Sequence, residues 1–125
     1  MAIVAALFGI AAATATPPVA VFVRTGAQDG LSRRFESNVL EQFRSDPQFR
    51  LIDREAPGAL VVSLPHGLGW ERRLDWTSVS YQVRIDAAQG QSRIVTGDCW
   101  NWNLRICARQ IVSAAAQDAG LGSPR

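Results

Sequence analysis

The chain has 125 residues, of which 47% are hydrophobic and 19% charged, a composition typical of a single globular domain. Thirteen basic residues, all of them arginines, stand against eleven acidic residues, so the net charge is only +2. This balance argues against the dense basic surface that a nucleic-acid-binding domain needs, and the hydrophobic content argues against a disordered tail.

The first segment of the chain, residues 1–15, predicts a secretory signal peptide. Residues 2–13 are uniformly apolar (AIVAALFGIAAA), too short for the roughly 20 residues of a membrane span but typical of a signal-peptide core. The tripeptide at 13–15 fits the A-x-A cleavage pattern, which leaves a single mature domain over residues 16–125. No basic residue precedes the apolar run. Uncharged sequence continues to Val23, so a retained anchor stays open as the alternative, although the prolines at 17–18 would interrupt a longer helix. We therefore expect a periplasmic or secreted protein.

Two cysteines, Cys99 and Cys107, are the only ones in the chain. An even cysteine count in an oxidising compartment favours a disulfide, and two thiols with a single histidine are too few ligands for a structural metal site. Their spacing, C-x7-C, is not that of a redox motif, so we predict a structural disulfide. In a cytoplasmic protein the same residues would be two buried thiols.

The start of the mature chain predicts a strand followed by a helix. Residues 19–24 (VAVFVR) are mostly β-branched or aromatic, which is typical of a strand. Over residues 31–43 apolar side chains recur every three or four positions, the pattern of an amphipathic helix. Asp29 or Ser32 can cap its beginning, and Pro47 ends it because proline disfavours the helical conformation of the residue before it.

The middle of the chain predicts four further strands. Residues 49–53 (FRLID) form a short strand, and residues 59–64 (ALVVSL), apolar almost throughout, predict a strand buried on both faces at the centre of a sheet. Residues 65–75 carry two glycines and a proline and predict a loop or an irregular hairpin. Residues 76–86 alternate between apolar and polar side chains, and residues 91–97 return to pair with them.

A second helix closes the chain, rich in alanine and running from Leu104 towards Ala119. Asn101 or Asn103 can cap its beginning, and glycines follow its end. The element order βαββββα predicts an α+β fold: a single mixed, largely antiparallel sheet of about five strands, with two helices packed on one face. The disulfide would join the end of the last strand to the first turn of this helix.

The phrase at residues 49–53, the central strand at 58–62 (GALVV), and the order of leader, hairpin and closing helix resemble a known envelope domain. This is the small α/β domain at the amino end of TolB and in CsgG-like outer-membrane lipoproteins, similar to the anticodon-binding fold. The resemblance implies a protein-interaction module of the bacterial envelope. There is no lipobox cysteine near the leader and no propeller after the domain, so neither lipid anchoring nor TolB's own role is implied, and no binding residue of the family matches a position here.

The four tryptophans all fall within residues 70–102, and two of them share the loop that the disulfide would close. Tryptophan and arginine dominate protein contact energies, and both stack on planar groups and sugars. Core packing is the alternative role for the tryptophans, because indoles often cover the open end of a small core. The candidate binding residues are Trp70, Arg72, Arg73 and Trp76.

A catalytic centre is not evident from the sequence, since the single histidine, His66, has no identifiable nucleophile or acid to work with. We therefore predict a non-enzymatic module, without cofactor or metal, that binds another envelope protein through residues 65–76 or an exposed sheet edge. The alternative is a small-molecule or glycan binder that uses the same tryptophans and arginines as a stacking groove. Neither a nucleic-acid partner nor a stable membrane span after leader removal is expected.

Overall fold

A mixed six-stranded sheet carries two helices on one of its faces in the computed structural model, which describes residues 17–121. The strands and helices in chain order are β1 (Val19–Arg24), α1 (Gly30–Ser45), β2 (Phe49–Ile52), β3 (Leu60–Ser63), β4 (Gly69–Arg73), β5 (Trp76–Asp86), β6 (Ser92–Trp100) and α2 (Leu104–Asp118). The predicted α+β class is confirmed, with six strands instead of about five. The predicted signal peptide lies outside the described residues.

The first three strands form the parallel part of the sheet. β1 lies between β2 and β3 and runs parallel to both, with α1 as the crossover from β1 to β2. β3 has β1 on one side and β5 on the other, and its residues Leu60, Val61 and Val62 are all buried. The prediction of a central strand buried on both faces is confirmed.

The antiparallel part of the sheet is built around β5, which has strands on both edges. β6 pairs with residues 78–86 of β5 along one edge. β4 pairs with residues 76–80 and β3 with residues 84–86, so these two strands share the other edge. Within the predicted loop or hairpin at 65–75, the hairpin is therefore present, with β4 as its first strand. All five residues of β4 are exposed, so no apolar alternation indicated this strand in the sequence.

The core lies between the sheet and the two helices. From β5 it receives the alternate side chains that the sequence predicted: Val79, Tyr81, Val83 and Ile85. From α1 it receives Phe35, Val39 and Phe43, and from α2 the small residues around Ile111, which allow the helix to approach closely. Each fully buried large apolar side chain contributes about 1.5–3 kcal/mol of transfer free energy.

The helix ends follow local chemistry. At α1, Asp29 Oδ1 accepts a hydrogen bond from the Ser32 backbone N–H at 2.8 Å, which confirms Asp29 as the cap. α2 ends in a Schellman motif, in which Gly120 has a φ of +74° and the Leu121 N–H donates to the Ala116 carbonyl at 2.8 Å. Asn103 occupies the cap position before α2, as predicted, but its side chain makes no capping hydrogen bond.

The disulfide between Cys99 and Cys107 is present, as predicted, with 5.7 Å between the two Cα atoms. It joins the end of β6 to the first turn of α2, and Cys107 is completely buried. Two tryptophans lie in the short segment that the bridge closes, Trp100 and Trp102. The bridge therefore restrains the part of the surface that carries them.

Candidate functional site

All four tryptophans are on the surface. Trp70 is 66% exposed, Trp76 51%, Trp100 37% and Trp102 58%. None of them belongs to the buried hydrophobic core. The alternative that these indoles cover the open end of the core is therefore wrong, and their exposure needs another explanation.

Strand register divides the four predicted binding residues between the two faces of the sheet. Residues paired across strands point to the same face, and the face alternates along each strand. Trp70 pairs with the buried Val79 on the helix-bearing face, and Arg72 follows Trp70 on that face. Arg73 pairs with Trp76 on the opposite, helix-free face. The four residues do not form one groove, and their binding role stays a prediction.

Three tryptophans instead lie at the end of the sheet where β5 begins and β6 ends: Trp76 and Trp100 on the helix-free face, and Trp102 in the turn that follows β6. Trp100 pairs with Ser78, two residues after Trp76, so both indoles are on this face. The ring centroids of Trp76 and Trp102 are 5.5 Å apart, with a tilt of 55° between the rings. We call Trp76, Trp100 and Trp102 the tryptophan surface.

Asn101 holds the last of these tryptophans in place. Its backbone N–H donates to the Thr77 carbonyl at 2.9 Å, and its side-chain Oδ1 accepts from the Thr77 N–H at 3.4 Å. These two bonds extend the β5–β6 ladder by one position beyond Trp100 and place Trp102 opposite Trp76. Trp100 and Trp102 stand out in the sequence because they share the loop that the disulfide closes, but their position beside Trp76 follows only from the strand register.

The tip of the β4–β5 hairpin adjoins the tryptophan surface. Leu74 occupies the left-handed region, with a φ of +51°, and its side chain is 94% exposed. For a residue other than glycine that conformation costs about 1–2 kcal/mol of folding free energy, and burial of the exposed leucine side chain does not offset this cost. Beside it, Arg73 and Glu71 form an exposed ion pair at 3.1 Å. The hairpin thus presents a strained apolar tip flanked by charges.

The outer edge of β6 is the longest free edge of the sheet. β6 pairs only with β5 in the described part of the chain, and its nine residues contain no proline. β2, the edge strand at the opposite side, has only four residues. A long edge strand is a template for pairing with another chain, although β6 carries two charged residues, Arg93 and Asp98. The edge of β6 ends at Trp100, beside the tryptophan surface.

Two ion pairs lie on the helix-free face, Arg73–Glu71 and Arg84–Asp86. Arg84 Nε donates to Asp86 Oδ1 at 2.9 Å, and the Ser92 hydroxyl donates to the same oxygen. The hydrogen bond from Ser92, followed by the one from Arg84, holds the pKa of Asp86 below its ordinary value despite some desolvation. Asp86 is therefore an ionised structural partner of β6 and β5.

His66 lies far from any cluster of potential metal ligands. Its imidazole is adjacent to Gly26, in the loop between β1 and α1. Across residues 17–121, no group of three or more histidine, cysteine, aspartate or glutamate side chains could hold a metal ion. Neither of the two described helices combines the length and the apolar character that a membrane crossing requires.

No protein-family model and no curated protein sequence matches the chain. Among solved structures, it is similar to a minor lipoprotein from Acinetobacter baumannii, with 11% identity over 78% of this chain and 93% of that one, and a TM-score of 0.46. A PelC dodecamer from Paraburkholderia phytofirmans is 14% identical over 83% and 90% of the two chains, with a TM-score of 0.49. The hypothetical protein CT253 from Chlamydia trachomatis is 13% identical over 85% and 95%, with a TM-score of 0.48. We base no functional argument on similarities at this level.

Proposed function

We propose that this domain is a non-enzymatic protein-binding module that acts outside the cytoplasm and binds an envelope partner through the tryptophan surface. The observation that carries the proposal is the exposure of Trp76, Trp100 and Trp102 at one end of the sheet, outside the core. Tryptophan is among the residues most enriched at the energetic centres of protein interfaces. Leu74, strained and exposed at the adjacent hairpin tip, supports the same use of this surface.

The size of the tryptophan surface indicates how much more of the protein such an interface would involve. A tryptophan side chain can bury up to about 250 Å², so the exposed fractions of the three indoles correspond to roughly 350 Å². A standard interface covers about 800 Å² on each partner. The tryptophans would therefore form the centre of the contact, and the hairpin tip and the outer edge of β6 would supply the rest.

The disulfide supports the location outside the cytoplasm. Disulfides persist in oxidising compartments and are rare in the cytosol, where thiols are kept reduced. The Cys99–Cys107 bridge restrains the loop that carries Trp100 and Trp102. The predicted signal peptide over residues 1–15 and the resemblance to envelope interaction domains point to the same compartment.

A glycan-binding role is the second candidate, and one observation favours it. Trp76 and Trp102 form an exposed pair of tilted rings, an arrangement on which a sugar ring can stack. The protein-binding and glycan-binding functions differ in which competitor displaces the bound partner. A soluble saccharide would compete for a glycan-binding surface and leave a protein interface intact.

A pull-down with matched variants tests the proposal. The oxidised protein is immobilised and exposed to an extracytoplasmic extract of the organism that encodes it, in parallel with Trp76→Ala/Trp102→Ala and with Arg50→Ala on the distant strand β2. We expect one stoichiometric protein on the wild type and on Arg50→Ala, and its loss from the tryptophan variant. Equal retention on all three would refute the proposal. Loss of the partner from an Arg72→Ala/Arg73→Ala variant that keeps its stability would add these predicted residues to the interface.

A further inference from the structure

A concave site that shares Trp102 with the tryptophan surface lies between the first half of α1 and the beginning of α2. Its volume is about 420 Å³, within the range of pockets that hold small molecules. The side chains that matter for its chemistry are Arg33 and Arg34 from α1, Arg105 from α2, and Asn101, Trp102 and Asn103 from the turn before α2. We call this site the arginine cleft.

The arginine cleft is cationic and holds no opposite charge of its own. Three guanidinium groups line it, and none of the lining residues is acidic. Among the arginines of the described residues, six form ion pairs with carboxylates, and Arg34 and Arg105 are among the six that do not. Arg33 is partly balanced by Asp29, whose pKa is held low first by the Ser32 backbone N–H and more weakly by the Arg33 charge. Like charges that line one cleft repel one another, and a bound anion would relieve that repulsion.

Other donors face the same space. Asn101 uses its Oδ1 as the acceptor for the Thr77 N–H, which leaves its side-chain N–H groups to donate. The first turn of α2 contains no acidic side chain, and its cap residue Asn103 makes no side-chain capping bond. α1, in contrast, is capped by Asp29. The positive end of α2 thus adds to the field of the three arginines.

We infer that the arginine cleft binds the oxyanion of a small ligand, a carboxylate or a phosphate group, with the ring that carries this group lying against Trp102. The planar fork of a guanidinium donates two parallel hydrogen bonds to either oxyanion, so Arg34 and Arg105 would hold the group. Trp102 lines the cleft and is 58% exposed, which makes it available for stacking. The ligand class is therefore an anionic sugar or a comparable ring-bearing acid of monosaccharide or disaccharide size.

Titration with three small molecules distinguishes a phosphate-bearing ligand from a carboxylate-bearing one. The full oxidised protein, labelled with ¹⁵N, is titrated with sodium phosphate, sodium glucuronate and glucose, each against sodium chloride at matched ionic strength. We expect saturable shifts of the backbone amides at 103–106 and of the Trp102 indole N–H with phosphate, glucuronate or both, and none with glucose. Saturation by phosphate alone assigns a phosphate-bearing ligand, and saturation by glucuronate alone assigns a carboxylate. Shifts no larger than those in sodium chloride for all three probes would overturn the inference.

Matched variants locate the binding. All three substituted positions are exposed, so Arg34→Ala, Arg105→Ala and the control Arg50→Ala should keep the wild-type melting temperature. Removal of Arg34 or Arg105 should weaken binding of the responding probe about tenfold or more, because each removes charge-assisted hydrogen bonds. Arg50→Ala should bind like the wild type. Equal weakening by Arg50→Ala, or none by either cleft variant, would contradict the inference.

Trp100→Ala distinguishes this inference from the proposed function. Trp76 does not line the arginine cleft, but its ring packs against Trp102, which does, so Trp100 is the better position for this test. Trp100 belongs to the tryptophan surface and does not line the cleft. The Trp100→Ala variant should bind the anion with unchanged affinity and lose affinity for the protein partner, and Arg34→Ala should retain the protein partner. Loss of anion binding in Trp100→Ala would contradict the inference that the cleft binds the anion independently of the tryptophan surface.

Discussion

Removal of the Cys99–Cys107 disulfide should cost a large share of the stability of this domain. The two cysteines are eight positions apart, so the bridge closes a loop of nine residues. In the chain-entropy treatment such a loop lowers the free energy of folding by about 2.6 kcal/mol at 25 °C. The total stability of a small domain is about 5–15 kcal/mol. The variant Cys99→Ala/Cys107→Ala should therefore lose about 2.6 kcal/mol, and its melting temperature should fall by roughly 10–20 °C.

Urea unfolding followed by circular dichroism measures this cost in three samples: oxidised wild type, reduced wild type and the double alanine variant. The reduced protein and the variant should have similar midpoints, both well below that of the oxidised protein, because neither has the cross-link. A loss below about 1 kcal/mol, or coincident curves for oxidised and reduced protein, would refute this account of the bridge. Thiols that react in the native, non-reduced protein would refute the bridge itself.

Three further predictions concern the strands around the two proposed sites. Gly97→Ala should destabilise the fold by about 1–3 kcal/mol in the same urea assay, because the new Cβ would be 2.5 Å from both the Tyr81 hydroxyl and the Gln110 amide oxygen. Gly30→Ala is the control, because a Cβ at position 30 would have no atom within 4 Å, and it should leave stability unchanged or raise it. Leu74→Asn should raise stability by about 1 kcal/mol in a thermal melt, because asparagine tolerates the positive φ, and an unchanged or lower value would refute the strain at the hairpin tip. Burial, and less strongly the charge of Asp98, raises the pKa of Tyr81, the single tyrosine. The midpoint of its ultraviolet titration should therefore lie above the midpoint of the urea-unfolded chain, which is near pH 10. Stability should fall as the pH rises above about 10, because the unfolded state loses the phenolic proton first. Equal midpoints in the two states would contradict this.

The elements that could be predicted from the sequence are those in which the spacing of apolar residues matches the spacing of buried side chains. The stripe of α1 and the alternation along β5 repeat at the spacing of one buried face, so both elements and their buried residues could be read directly. The run at β3 carried no period, but its unbroken apolar character indicated burial on both faces. β4 has no buried side chain, and its strand conformation comes only from backbone pairing with β5, which composition does not reveal.

The functional surfaces depend on register and packing, which are long-range properties. Trp70 and Trp76 are close in the sequence, yet the pairing of β4 with β5 places them on opposite faces of the sheet. Trp76 and Trp102 are far apart in the sequence and meet because β5 and β6 align. The arginine cleft exists only because α1 and α2 pack side by side, which brings Arg34 near Arg105. Residue type identifies these side chains as candidates, but the fold determines which of them lie close together.

Site-specific photo-cross-linking in living cells tests the proposed function most directly. A photoreactive phenylalanine analogue is placed at Leu74, on the hairpin tip beside the tryptophan surface, and separately at the exposed Arg50 on β2 as the control. We expect a discrete adduct with one extracytoplasmic protein from position 74, weakened by Trp76→Ala/Trp102→Ala, and no such adduct from position 50. No protein adduct from position 74, the same adduct from both positions, or adducts with cytosolic proteins would contradict the proposal.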